Sequence, residues 1–146
     1  MRWRRRGDDR AISEPSPRPI PDPGPVPAGW EELERELTER ASQAASDPTA
    51  ALVLAVEGSE HYVQWLGMSG DAVYLEASST VAEPQLAQLA ALGWLPPRAK
   101  GPANTPNWNQ GRPAPVDPGG VARTTVHTLA DVYGAPPAGI RVDVVA

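Results

Sequence analysis

The chain has 146 residues, a net charge of −5 and no cysteine, which fits one domain and excludes disulfides and thiolate metal sites. The charge is uneven: residues 1–28 carry six arginines against four acidic residues, whereas residues 29–146 carry seven basic and fourteen acidic residues. An acidic body is a poor match for a phosphate backbone, so no nucleic-acid partner is expected of it. No apolar run reaches the ~18 residues that a membrane span requires. The arginine-rich start is followed by Gly7 to Arg10, a polar stretch, so it lacks the apolar core of a signal peptide. With no cysteine, this fits a cytoplasmic protein.

Residues 1–28 read as a disordered, basic, proline-rich tail, and 29–146 as a single α+β domain. Prolines stand at 15, 17, 19, 21, 23, 25 and 27. That alternation bars helix and ladder alike and favours an extended spacer. Prolines spaced only by even numbers do not make a PxxP ligand. The Arg6-Gly7-Asp8 tripeptide is too short to carry weight, and the arginines around Trp3 stand beside Asp8 and Asp9.

Residues 29–46 predict a helix with an apolar stripe of Trp30, Leu33, Leu37, Ala41 and Ala44 and acids in its first turn. Three strands follow, over 51–57, 61–67 and 72–78, joined by short turns as in an antiparallel meander. The first is apolar on both faces, as though covered on both sides. A second helix fits 84–92, with Pro84 at its start, Leu86, Leu89 and Leu92 on one face and Gly93 as its stop. Residues 95–116 hold six prolines, with a short strand placed near 107–110. A third helix fits 118–133 on the stripe Val121, Thr125, Leu129 and Val132, and residues 140–144 alternate as a last strand. The whole is α+β: a small antiparallel meander sheet packed with about three helices.

Catalytic signals are few. His61 and His127 are the two histidines, and both read as surface residues. No histidine pair at metal spacing, nucleophile elbow or phosphate-cradling glycine loop is present, so neither a metal, a cofactor nor an enzymatic role is expected. The aromatic residues are more informative, with five tryptophans, three tyrosines and no phenylalanine. Trp65 alternates with Gln64 on a strand, while Trp94 and Trp108 stand at loop junctions. Tryptophan is enriched at interfaces, but it serves equally as a staple between loop and sheet.

The segments Tyr62-Val63-Gln64, Leu75-Glu76-Ala77-Ser78-Ser79, Leu89 to Pro97, Asn107-Trp108 and Thr128 to Gly134 recur in an order that resembles the bacterial TY-Chap domains, relatives of type III secretion chaperones and YbjN-like proteins. Leu92-Gly93-Trp94 with its prolines, followed by Asn107-Trp108, carries most of the likeness. The resemblance implies an α+β fold and a non-catalytic, chaperone-like module that holds a client protein or peptide, with homodimers common among relatives. An asparagine expected soon after Glu76 is replaced here by Ser78, Ser79 and Thr80. An exposed sheet edge can add a peptide as a further strand. Tyr62, Gln64, Trp65, Tyr74 and Glu76 on the central strands, rimmed by Trp94, Asn107 and Trp108, are the binding candidates. Strand alternation turns Trp65 away from Tyr62 and Gln64, so the whole set cannot line one groove. The acidic body favours basic clients. The alternative is a self-associating structural or regulatory protein whose helix stripes serve a dimer.

Overall fold

The computed structural model describes residues 20–78, 81–97 and 107–145. The N-terminal arginine cluster, the prolines up to Pro19, residues Ser79 and Thr80, and the middle of the long proline-rich stretch lie outside these residues.

Helix α1, Glu31–Ala45, opens with Glu31, Glu32 and Glu34 at its positive end and buries Leu37, Ala41 and Ala44, with Trp30 at its N-cap also in the core. Strands β1 (Ala51–Val56), β2 (Tyr62–Met68) and β3 (Ala72–Ala77) form the expected antiparallel meander. Helix α2, Glu83–Ala91, starts with proline in its first turn and is closed by Gly93, which takes a φ of +92° open to glycine. Only Leu89 of its leucine stripe is fully buried; Leu92 is half-buried and Leu86 exposed.

Strand β4, Trp108–Arg112, pairs with β3, and β5, Ile140–Val144, pairs with β1. The result is a five-stranded antiparallel sheet in the order β4-β3-β2-β1-β5. Helix α3 runs Pro118–His127 and continues as a π turn over Thr128–Val132, where a regular helix to 133 was expected. Buried threonines explain the widening. Thr125 and Thr128 donate their hydroxyls to the carbonyls of Val121 and Thr124 one turn back, at 2.8 and 2.7 Å, a contact that loosens helical geometry.

The sheet has two unlike faces. On the inner face lie Leu52, Leu54, Val56, Val63, Trp65, Val73, Leu75 and Ala77, all buried with the stripes of α1 and α3. Two indoles lock sheet to helix. Trp65 Nε1 donates to Thr125 Oγ1 at 3.1 Å, and Trp94 Nε1 to Thr128 Oγ1 at 3.0 Å. Arg112 is buried at the sheet edge and donates to Gln110 and Thr124 at 2.7 and 2.8 Å. Burial lowers its pKa, with Asp117 and Asp22 opposing. Among the described residues no helix is long and apolar enough to cross a membrane.

Residues 20–28, assigned by sequence to the disordered tail, lie against the body. Asp22 accepts two bonds from Arg123 at 3.0 Å each, His127 Nε2 sits 3.0 Å from the Pro25 carbonyl, and Val26 packs on the core. Extended proline-rich backbone makes no internal hydrogen bonds, which leaves its carbonyls free for such contacts.

Candidate functional site

The outer face of the sheet follows from the pairing register. Each inward residue of β1, β2 and β3 alternates with an outward one: Ala51, Val53 and Ala55; Tyr62, Gln64, Leu66 and Met68; Ala72, Tyr74 and Glu76. All are half-buried except Met68, which is exposed. Across the strands, Leu66 stands opposite Ala51 and Tyr74, and Tyr62 opposite Ala55. A polar row crosses the middle, Asp143–Val53–Gln64–Glu76–Asn109. Both α1 and α3 pack on the other side, and among the described residues no helix or strand lies over this face.

The binding candidates therefore divide. Tyr62, Gln64, Tyr74 and Glu76 share the outer face, and Asn107 joins them by donating from Nδ2 to the Tyr62 hydroxyl at 2.9 Å. Trp65, Trp94 and Trp108 stand in the core, at 1%, 2% and 6% exposure. The rim expected of Trp94 and Trp108 is thus corrected to a foundation. Trp108 pairs with inward Ala77, and Trp94 turns its indole into the helix. Burying these large apolar rings while pairing two of the N–H groups is more favourable than exposing them.

Residues missed as candidates are Val53, Ala55, Leu66 and Met68. The signal is present in the sequence: β1 is apolar on both faces, which predicts cover on both sides. Instead Val53 and Ala55 form the apolar floor of an open face. Partial burial, then the Glu76 carboxylate beside it, raises the Tyr74 hydroxyl above its usual pKa.

One end of the sheet is closed by a hydrogen-bonded cluster. Ser78 is buried, accepts from the Tyr62 backbone N–H at 3.2 Å and donates to the Tyr133 hydroxyl at 3.1 Å. Tyr133 stacks on His61 with centroids 4.4 Å apart. Its partners make His61 a packing residue, just as Asp131 at 2.7 Å and Pro25 occupy His127. Among the described residues no three His, Asp or Glu side chains stand together as a metal site.

Burial pushes the Tyr133 hydroxyl up to about 12. The folded state thus holds this proton more tightly than the unfolded chain, where tyrosine titrates near ~10. Its contribution is intact below pH ~10 and is lost as pH climbs toward the folded value. Urea midpoints measured from pH 8 to 12 are expected to fall in that upper window, and Tyr133→Phe to flatten much of the fall. An unchanged slope in the variant would show that another group governs alkaline unfolding.

Comparison with known proteins gives one positive finding. The family model described as "T3SS (YopN, CesT) and YbjN peptide-binding chaperone 3" matches residues 24–145, nearly the whole described body. No curated protein and no solved structure matches the chain.

Proposed function

The chain belongs to the TY-Chap3 family of peptide-binding chaperone domains, and we propose that its outer sheet face is where it holds a client polypeptide, without catalysis and in the cytoplasm. The observation that carries this is the half-exposed apolar floor of Val53, Ala55, Leu66, Tyr62 and Tyr74, left open by every described helix and strand. A patch of this kind on one face of a small domain is costly to leave wet and fits an apolar partner. Tyr62 and Tyr74 offer large contact area with a polar tip, and Gln64, Glu76 and Asn107 offer hydrogen bonds to an extended backbone.

The client chemistry follows from charge. Glu76 sits in the middle of the face and the body is acidic overall. An extended segment that alternates apolar and basic side chains would place its apolar side on the tyrosines and leave its basic side to the surrounding carboxylates. The buried tryptophans act from beneath by fixing the strands.

A fluorescein-labelled decapeptide of alternating leucine and lysine is a suitable probe, read by anisotropy on the full chain. Leu66→Ala with Tyr74→Ala should weaken binding more than tenfold, since two contact residues at the centre of the patch are lost. Half-exposed cross-strand partners contribute only ~0.2–1 kcal/mol per pair to folding, so the melting temperature should move little. Leu86→Ala, on the exposed side of α2, should leave binding unchanged. Equal affinity for the double variant and the parent would refute the assignment.

A further inference from the structure

The two edges of the sheet are not equivalent. At the β4 edge, Asn109 exchanges both backbone hydrogen bonds with Leu95, at 2.8 and 3.1 Å, so that edge is capped at this residue. Edge β5 has no such partner among the described residues. Its outward groups can be identified. Val145 N–H donates to Ala51, and Glu57 N–H to Gly139, at 2.9 and 2.8 Å. With the β1–β5 register, residues 139, 141, 143 and 145 turn their backbone toward β1, and Ile140, Val142 and Val144 turn theirs away from the sheet. Val144 and Val145 are also 60% and 65% exposed.

We propose that β5 pairs antiparallel with β5 of a second copy about a twofold axis through Val142, joining two sheets into one. The argument is the order of residues in Ile140-Arg141-Val142-Asp143-Val144. In an antiparallel pairing centred on Val142, Ile140 meets Val144 of the partner subunit, Val142 meets Val142 of the partner subunit, and Arg141 meets Asp143 of the partner subunit. Each contact occurs twice. The hydrogen-bonding parity agrees, because Ile140, Val142 and Val144 are the residues whose backbone groups face outward and they meet each other. Side-chain parity agrees too. Ile140, Val142 and Val144 continue the inner apolar face, while Arg141 and Asp143 lie on the outer face.

Two like charges at 141 and 143 would repel a second copy. The Arg-x-Asp order instead makes the edge complementary to itself, which an isologous interface requires. Within one chain Arg141 Nε already bonds Asp143 at 2.9 Å, so the same two side chains need only turn across the seam. Beside the edge, a cavity of about 150 Å³ is lined by Ala44, Leu52, Trp65 and Val144 under a rim of Arg40, Gln43 and Asp47. The pairing brings Ile140 of the partner subunit next to Val144 at this cavity, where it adds apolar contact. The joined sheet would also make the two outer faces continuous.

Sedimentation velocity on the full chain over a concentration series tests the pairing. The parent is expected to shift from monomer to dimer with concentration. Arg141→Asp and Asp143→Arg, each alone, set like charges opposite one another and should weaken association at least tenfold. An equimolar mixture of the two single variants should dimerise again, because the acidic strand of one faces the basic strand of the other. Intramolecular effects cannot produce that rescue, since neither chain regains its own ion pair. The double variant Arg141→Asp with Asp143→Arg should behave as the parent. Val142→Pro, which removes an outward N–H and leaves the bonds to β1 in place, should be monomeric and folded by circular dichroism. A parent that stays monomeric throughout, or a mixture no more associated than its components, would overturn the proposal.

Discussion

Gly67→Ala is expected to cost about 3 kcal/mol or more of folding stability, measured as a loss in denaturant midpoint at constant slope. Gly67 lies on the inner face of β2, opposite Val73, and donates its N–H to the Ala50 carbonyl at 2.9 Å. A Cβ at this position would overlap the carbonyl oxygen of Asp47 and lie 3.0 Å from that of Ala44. Both obstacles are backbone, so no side-chain rotation relieves them. The end of α1 would have to lift from the sheet, opening the core around Ala41, Ala44 and Trp65. Against a total stability of roughly 5–15 kcal/mol, that loss lowers the melting temperature on the order of 10 °C. A change under about 1 kcal/mol would mean that α1 does not rest on β2 at this point.

Trp65→Ala should be comparably severe, about 3–5 kcal/mol, because it empties the centre of the core and strips the Thr125 hydroxyl of its donor. Trp65→Phe keeps most of the volume and loses the hydrogen bond, so a smaller loss is expected. The comparison separates a core role from a binding role. If Trp65 only supports the sheet, the Phe variant, once folded, should bind the leucine–lysine decapeptide as the parent does. A large affinity loss in a well-folded Trp65→Phe protein would put this indole in the site.

Much of the architecture was legible because its signals are local. Alternation in 51–57, 61–67 and 72–78 gave the meander, and the stripe from Trp30 to Ala44 gave α1. Pro118 and Val121 to Val132 located α3, but periodicity does not reveal the π turn, which depends on threonine hydroxyls reaching back to main-chain carbonyls. Residues 20–28 show a related limit. Composition reports their lack of helix and ladder but not that Asp22 meets Arg123, some hundred positions on.

The site was readable in part. Parity set Tyr62 and Gln64 together and turned Trp65 from them; that Tyr74 and Glu76 share their face follows from the β2–β3 register. Trp94 and Trp108 lie in irregular sequence where no period indicates direction, and their burial depends on long-range partners, Thr128 and the β3–β4 register. β1 is apolar on both faces, a pattern shared by strands that their own helices cover on both sides and by strands covered on one side only.

The most direct test of the outer face as the client surface is an amide NMR titration of the full chain with the leucine–lysine decapeptide. Shifts should concentrate on β1, β2 and β3, around Val53, Gln64, Leu66, Tyr74 and Glu76, with α1 and α3 nearly silent. Shifts confined to β5 and the cavity near Arg40, Gln43 and Val144, or to the helices, would contradict the assignment and place the client elsewhere.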